Sequence, residues 1–281
     1  MTPLSNQFIW QINEAELPAL LAKLRTPEQK SSTLALPKSY EPAVKASGLA
    51  KAWNDYLIDV YSPDKSILVL PVTGEMSRSG SWGNFGNEFY IRQLKAAATD
   101  PDIKGVVLKF NTGGGTADST PAFAQAVADF KKAKPIIASV ASCYSAGYYV
   151  ASQCNEIYIE NQAASGVGSI GTLIIYEGWA QFLKDQGIDM RIIRAKKSQD
   201  KARANWIEEL SPESEADLQA TCDACQREFE GAVKRGRAGK IKSDEVFTGK
   251  TYNADQALSL GLVDYKGDLL AATKRALQLA A

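Results

Sequence analysis

A serine that follows an apolar stretch is the first candidate for chemistry in this chain. Ser145 begins the run Ser-Ala-Gly-Tyr-Tyr, and the 281 residues include no histidine. A Ser-His-Asp triad, a Cys-His pair and a histidine-rich metal site are therefore excluded. If Ser145 is a nucleophile, its proton must pass to another base, and a lysine kept neutral by burial has a suitable range of pKa. The composition thus suggests a Ser-Lys dyad as the hypothesis to test.

The residues after Ser145 are small, and small residues at a strand-to-helix turn expose a serine Oγ. They also let a substrate carbonyl approach the N–H of Ala146, although the segment does not match the G-x-S-x-G motif. The simpler interpretation is that Ser145 only caps the following helix. Ser165 and Ser169, around a second glycine-rich segment, are rival nucleophiles on composition. Neither of them directly follows an apolar strand.

Three consecutive glycines follow another apolar run. The segment Asn111-Thr-Gly-Gly-Gly115 contains no phosphate-binding motif of the P-loop or dinucleotide type. Glycine allows a ligand to approach backbone N–H groups closely, so Gly114 could supply half of an oxyanion hole. A plain tight turn is the alternative.

The candidate bases are lysines that follow the strand-like segment 190–193. Lys196, Lys197 and Lys201 lie within six positions of one another. A cluster with this much positive charge is typical of a solvated loop. For one of these lysines to act as a catalytic base, its side chain would have to turn inward and lose its proton.

Composition limits the class of protein and its partners. Lys+Arg and Asp+Glu are balanced at 32 each, so neither a nucleic acid nor an anionic membrane is indicated as the partner. No apolar stretch is long enough for a membrane span, and the first residues do not resemble a secretory signal, so we expect a cytoplasmic protein without a membrane anchor. Cys222 and Cys225 form a lone C-x-x-C that lacks two further zinc ligands. We expect no metal site and no cofactor.

From residue 65 onward, strand-like and helix-like patterns alternate. Predicted strands cover 67–72, 106–110, 136–140 and 157–159, and predicted helices cover 89–98, 120–132, 145–153 and 212–233. Such alternation indicates an α/β fold of βαβ units around a mostly parallel sheet. Sites in these sheets lie beyond the carboxyl ends of the strands, where the glycine run and Ser145 are both found.

Residues 1–64 differ from the rest and contain no obvious chemistry. Helical periodicity extends over 8–24, a Pro-, Ser- and Thr-rich linker follows over 26–42, and a second helix is predicted over 43–60. We therefore divide the chain into an N-terminal extension, 1–64, made of a helical arm and a linker, and a main domain, 65–281.

Four segments in order resemble the signal peptide peptidase A (protease IV) family of Ser-Lys serine peptidases, which includes phage head-maturation relatives. They are the glycine run at 111–115, Ser-Ala-Gly-Tyr-Tyr-Val-Ala-Ser at 145–152, Gly-Ser-Ile-Gly at 168–171, and the segment 249–257 followed by Gly-Leu-Val-Asp at 261–264. The resemblance covers roughly three quarters of the chain, from about residue 65 to the end.

The resemblance implies roles for individual residues. Ser145 matches the family nucleophile, and the N–H groups of Gly114 and Ala146 match the oxyanion hole, with threonine at 112 where the family usually has proline. The family base matches Lys201 best, because Asn205 follows it at the family spacing. An ungapped count from Ser145 ends nearer Lys197, so Lys197 and Lys196 stay open as alternatives.

The family fold is a Clp-protease/crotonase-like spiral of βαβ units, and single-domain members resemble rings in which a neighbour completes the active site. The resemblance thus implies a homo-oligomeric serine endopeptidase that cleaves peptides or unfolded or scaffold proteins, and it is compatible with a prophage head-maturation protease. A signal-peptide-degrading peptidase, a crotonase-like acyl-CoA enzyme and a catalytically silent capsid or scaffold protein are the alternatives.

Overall fold

The structure, a computed structural model, describes residues 9–12, 48–80 and 83–281. Strands and helices alternate along most of this length, which confirms the predicted α/β class. The strands are β1 (Ile9–Ile12), β2 (Ile67–Met76), β3 (Gly105–Thr116), β4 (Ile136–Tyr144), β5 (Glu156–Ile159), β6 (Gly166–Gly168), β7 (Leu173–Ile174), β8 (Thr251–Asn253) and β9 (Tyr265–Lys266). The α-helices are α1 (Leu49–Tyr61), α2 (Asn87–Thr99), α3 (Thr120–Ala133), α4 (Ala146–Ala151), α5 (Ala180–Asp185), α6 (Pro212–Gly236), α7 (Ala254–Ser259) and α8 (Leu269–Ala280).

The central strands of the sheet are parallel, and β3 lies between β2 and β4. Val106 pairs with Leu68 on one side and with Ile136 on the other. β4 then pairs with β5 along its first half and with β6 along its last three residues. Parallel pairing of β2 to β6 brings the carboxyl ends of these strands to one edge, where the glycine run and Ser145 are found.

The three central strands are apolar because helices cover both faces of the sheet. Leu68, Val106 and Ile137 are fully buried, as continuous apolar runs in a parallel sheet require. One face packs in the main core beneath α2, α3 and α4, and the other packs against Ala272 and Ala276 of α8.

The N-terminal part departs from one prediction. We expected a helix over 8–24, but Ile9–Ile12 is a β-strand; the rest of that range and the linker at 26–42 lie outside the described residues. The local sequence Ile-Trp-Gln-Ile is rich in strand-forming residues, and pairing with β3 and β7 overrides its helical periodicity.

The described part of the second predicted helix, expected over 43–60, is present as α1 (Leu49–Tyr61), and residues 43–47 lie outside the described residues. Trp53 packs edge-to-face on Phe85 and Phe89, with ring centroids 5.1 and 5.5 Å apart. Aromatic contacts thus anchor α1 against α2. The domain boundary near residue 64 stays a prediction.

Two further local expectations were wrong. The segment 111–116, expected to be a loop, belongs to β3, because Gly114 and Gly115 pair with Glu75 and Met76 of the long strand β2. The segment 190–193, expected to be a strand, has no regular structure. Ile193 is 95% exposed, so this stretch lacks the neighbouring strand that its pattern would need.

Candidate active site

Ser145 occupies a strained turn between β4 and α4. Its φ is 51° and its ψ is −117°, a combination that costs a non-glycine residue free energy and is concentrated at functional sites. The side chain makes no capping hydrogen bond to α4. The simpler interpretation of Ser145 as a side-chain helix cap therefore does not hold, and a strained strand-to-helix turn of this kind is compatible with a nucleophile elbow.

The surrounding backbone fixes this turn. The Ser145 N–H donates to the carbonyl of Gly168 at 2.8 Å, and the Ser145 carbonyl accepts from Tyr149 N–H at 2.9 Å. The hydroxyl has one long contact, to the carbonyl of Gly171 at 3.5 Å. The residue is fully buried in the single chain, so the expectation that the small residues after it expose the serine Oγ is wrong: small side chains let the surrounding backbone close over it. A weakly bonded hydroxyl on a rigid turn is free to reorient toward a base or a substrate.

The predicted oxyanion donor at Gly114 is engaged within the protein. Its N–H donates to the Thr112 hydroxyl at 3.0 Å, and that hydroxyl in turn donates to the carbonyl of Gly74. Gly114 has a φ of 105°, which favours glycine. The structure thus places the predicted donor near the strand end but turns its N–H onto Thr112.

The second predicted donor, Ala146, is the first residue of α4. N–H groups in a first helical turn have no partner inside the helix, so they are available to a ligand. Gly147 brings this turn close to β3, because a Cβ at position 147 would lie 2.6 Å from Thr112 Cγ2. Close packing of α4 on β3 therefore sets the spacing between the two predicted donors.

The three candidate lysines lie on an exposed segment. Lys196, Lys197 and Lys201 are all exposed in the single chain. Among the residues that the structure describes, no hydrogen bond joins Ser145 to any of the three. The structure therefore does not bring the predicted dyad together within one chain.

Hydrogen bonds hold the backbone that carries Lys201 in a defined shape. Arg194 donates to the carbonyls of Lys201 and Ala202 at 2.6 and 2.9 Å and forms two hydrogen bonds with the Glu208 carboxylate, of 2.9 and 2.6 Å. The Arg194 guanidinium holds the pKa of Glu208 below its usual value.

Asn205 completes this arrangement. Its amide donates to Ala202 and Glu208, and its carbonyl accepts from the N–H groups of Ile207 and Glu208. Ala202 itself has a φ of 57°. The residue that identified Lys201 by its spacing is therefore the one that shapes the turn after it.

The other candidate residues from the sequence are the two rival serines and the two cysteines of the C-x-x-C motif. Ser165 and Ser169 are buried, and the Ser169 N–H donates to the carbonyl of Lys250 at 2.7 Å. Cys222 and Cys225 lie within α6 as free thiols, and burial raises the pKa of each. In the described ranges, no three acidic or thiol side chains are placed to hold a metal ion.

Three features of the site were not predicted from the sequence. They are the Thr112 hydroxyl that takes up the Gly114 N–H, the Gly171 carbonyl beside Ser145 Oγ, and the pairing of β1 with the glycine run. The replacement of proline by Thr112 was the one visible signal, since it introduces a hydroxyl where the family usually has none. The other two depend on backbone contacts that no residue type encodes.

None of the helices in the described residues combines the length and apolar character needed to cross a membrane.

Relatives with known names match most of this chain. The head-tail preconnector protein GP5 of Enterobacteria phage P21 is 25% identical over 250 residues, which are 84% of this chain and 49% of that protein. The capsid assembly protease C of Escherichia phage lambda is 26% identical over 211 residues, 73% of this chain and 47% of that protein. The chain thus spans about half the length of these two relatives.

Solved structures that align with the chain include two kinds of protein. A stomatin-specific protease mutant, 1510-N S97A, is 16% identical over 75% of this chain and 83% of its own, with a TM-score of 0.44. An enoyl-CoA hydratase/isomerase family member is 15% identical over 76% of this chain and 71% of its own, with a TM-score of 0.42. Scores of this size support no inference about function.

A family model decides the assignment. It matches residues 128–281, more than half of the chain, and it includes Ser145, the Gly-Ser-Ile-Gly segment and the whole lysine segment. The chain belongs to peptidase family S49.

Proposed function

We propose that the protein is a serine endopeptidase in which Ser145 is the nucleophile and Lys201 is the general base. The observation that carries this proposal is the Ser145 turn, whose positive φ and uncapped hydroxyl occur in a chain of peptidase family S49. Since the chain has no histidine, a neutral lysine is the base that this chemistry requires.

The proposed reaction proceeds in two halves. Lys201 Nζ takes the proton from Ser145 Oγ while Oγ attacks the scissile carbonyl carbon. The N–H groups of Ala146 and Gly114 stabilise the resulting oxyanion. The C–N bond then breaks, the lysine ammonium protonates the leaving amine, and an acyl-enzyme remains. Water, deprotonated by the same lysine, attacks the ester and releases the second product with both residues restored.

A fluorophosphonate probe tests the nucleophile directly. We expect stoichiometric labelling of Ser145, located by peptide mass spectrometry, and no labelling of the Ser145→Ala variant. Ser165→Ala and Ser169→Ala are matched controls, and both should label like the unmodified chain. Labelling that persists in the Ser145→Ala variant would move the nucleophile elsewhere. A complete lack of labelling would favour a crotonase-like enzyme or a silent scaffold.

The pH dependence tests the class of base. A lysine must be neutral to accept a proton, and its ordinary pKa is about 10.4. We expect kcat/KM to rise with pH on the alkaline side of neutrality. Because the chain contains no histidine, no rise of kcat/KM near pH ~6.5 can come from the titration of an imidazole. A profile that is flat over this range with rate-limiting chemistry contradicts a lysine base.

The exposed lysine segment suggests that the site is completed by another copy of the chain. Lys201 makes no bond to Ser145 in the described part of the chain, and the same region exposes Phe182 and Ile193, which are 50% and 95% accessible. Large exposed apolar side chains are typical of an interface. We therefore propose a homo-oligomeric ring in which one subunit's lysine segment covers its neighbour's Ser145.

Mixing inactive variants tests this arrangement. Ser145→Ala and Lys201→Met subunits, unfolded and refolded together, should regain activity, because about a quarter of randomly formed interfaces pair an intact serine with an intact lysine. Each variant refolded alone should stay inactive. If the dyad forms within one chain, the mixture is as inactive as its components.

Proteins, not small esters, are the proposed substrates. Two relatives are named for capsid assembly and for a head-tail preconnector, so cleavage of an assembly scaffold during head maturation is the specific form of the proposal. The test is coexpression with candidate scaffold proteins in the presence of active and Ser145→Ala chains. Specific truncation by the active chain alone supports it, and cleavage of signal peptides in preference to scaffolds would favour the alternative of signal-peptide degradation.

A further inference from the structure

The short strand β1 lies between two strands that border the candidate active site. On one side Trp10, Gln11 and Ile12 pair antiparallel with Thr116, Gly115 and Gly114 of β3. On the other side Ile9 and Trp10 pair antiparallel with Ile174 and Leu173 of β7. Both neighbours therefore pair with β1 through their backbones, as they would with any extended peptide in the same place. We call this place between β3 and β7 the slot.

The slot continues the line of β4, which ends at the Ser145 turn. β4 follows the same side of β3 as far as the pair Thr112–Cys143. The next pair that this side of β3 makes is Gly114 with Ile12. The two pairs are two residues apart, about 7 Å along the strand. Ile12 is therefore the β1 residue nearest in register to the end of β4.

β1 runs toward the Ser145 turn in the direction expected of the part of a substrate that precedes the scissile bond. Because β1 is antiparallel to β3, its chain runs from Thr116 toward Gly114, so its C-terminal end faces the Ser145 turn. β7 begins two residues after Gly171, whose carbonyl contacts Ser145 Oγ. A peptide in this slot thus presents its C-terminal backbone to the nucleophile and to the glycine run.

We propose that β1 is an intramolecular occupant of the groove that binds the extended segment of a protein substrate, so that the chain inhibits itself until β1 is displaced. The inference rests on the proposed function, since it takes Ser145 as the centre that the groove serves. Because β1 belongs to the same chain, it competes with an effective concentration that does not depend on the concentration of the protein. An incoming peptide must displace it, and its apparent affinity falls by the fraction of molecules in which the slot is closed.

A binding experiment separates this proposal from catalysis. The probe is a fluorescein-labelled peptide with the sequence of residues 6–14, measured by anisotropy with full chains that carry Ser145→Ala and cannot hydrolyse it. Gln11→Pro removes one N–H from a strand that has neighbours on both sides, so it weakens β1. Thr33→Pro is the matched control, because it adds a proline outside β1.

We expect the labelled peptide to bind the Gln11→Pro chain at least ~10-fold more tightly than the chain with native β1, and the Thr33→Pro chain to match the native one. Ile9→Pro, at the other end of β1, should reproduce the effect, and circular dichroism should show the same fold for all variants. Equal affinity in all chains, or no binding to either β1 variant, would overturn the proposal.

Hydrolysis gives the second readout. In chains with Ser145 intact, Gln11→Pro should raise kcat/KM by lowering KM, with kcat nearly unchanged. If the binding difference is present but no chain hydrolyses peptides, the proposed catalytic function fails while the occupied groove stands. If the chains hydrolyse peptides but the anisotropy shows no difference in affinity, the inference about β1 fails while the proposed catalytic function stands.

Discussion

The N–H of Gly114 donates a hydrogen bond to the Thr112 hydroxyl at 3.0 Å, so a predicted oxyanion donor is held by a side chain two residues away. The Thr112 hydroxyl is itself anchored on the Gly74 carbonyl, so in the proposed mechanism Gly114 must exchange this partner for the oxyanion. The bond therefore competes directly with transition-state stabilisation.

We expect Thr112→Val to raise kcat several-fold, because valine keeps the shape of the side chain and releases the Gly114 N–H. The loss of the hydroxyl should cost about 1 kcal/mol of unfolding free energy, measured by urea denaturation. Thr112→Ser, which retains the hydroxyl, is the control and should keep the native kcat. A valine variant slower than the serine variant would show that the bond belongs to the working site.

Replacement of the candidate lysines by arginine should single out the base. Lys201→Arg keeps the positive charge but cannot release its proton, so we expect activity to fall by at least ~10³-fold. Lys197→Arg and Lys196→Arg should retain most of the activity, measured on one peptide substrate. An inactive Lys197 variant beside an active Lys201 variant would reassign the base to position 197.

Arg194 should act as a positioning residue for Lys201. Arg194→Met removes its hydrogen bonds to the backbone at 201 and 202 and to Glu208, so we expect kcat to fall about tenfold or more with KM little changed. Arg191→Met is a matched control, because Arg191 is exposed and pairs with Asp189. The pH profile gives the decisive readout: a displaced lysine should shift the alkaline limb, whereas a merely structural loss would lower the rate uniformly.

Gly147→Ala should disrupt the Ser145 turn by steric contact. The new Cβ would lie 2.6 Å from Thr112 Cγ2 in a buried region, so we expect a loss of about 1–3 kcal/mol of unfolding free energy and a large loss of activity. Gly231→Ala is the control: its Cβ would approach only the flexible end of Arg235, at 3.2 Å, and alanine favours the helix. Both can be measured by thermal denaturation. A fully active Gly147→Ala chain would contradict close packing of α4 on β3.

Asp264 should make the fold sensitive to acid. Burial opposes ionisation of its carboxyl, but hydrogen bonds with Arg237 and Lys240 outweigh this and hold its pKa below the ordinary value. Its contribution to stability is therefore complete above about pH 4 and is lost as the pH falls through the lowered pKa.

Asp264→Asn tests this contribution. It leaves the Arg237 guanidinium, which is 1% exposed, without its charged partner, so we expect a loss of about 3 kcal/mol at pH 7. The difference in unfolding free energy between the two proteins should shrink toward pH 3, as measured by chemical denaturation at each pH. Asp255→Asn, at an exposed pair with Lys266, is the control and should change little. A difference that is constant over the whole range would show that Asp264 is not ionised in the folded protein.

The amino-acid sequence by itself determined the class of fold and pointed to the turn at Ser145. Apolar runs such as 67–72 and 136–140 can be satisfied only by burial on both faces of a sheet, which is why the strand positions were predictable. The absence of histidine, read beside Ser145, was enough to indicate a lysine base. Asn205 made Lys201 the preferred candidate by spacing, and the same residue shapes the turn after it.

The tertiary structure decided how backbone groups meet. Residues 111–116 extend β3 because β2 is long enough to pair with them, and Ile9–Ile12 is a strand because it pairs with β3 on one side and with β7 on the other. The Gly114 N–H meets the Thr112 hydroxyl because of the path of the backbone between these two residues. Partners of this kind are far apart in the chain or depend on dihedral angles, and residue types and local periodicity carry no information about either.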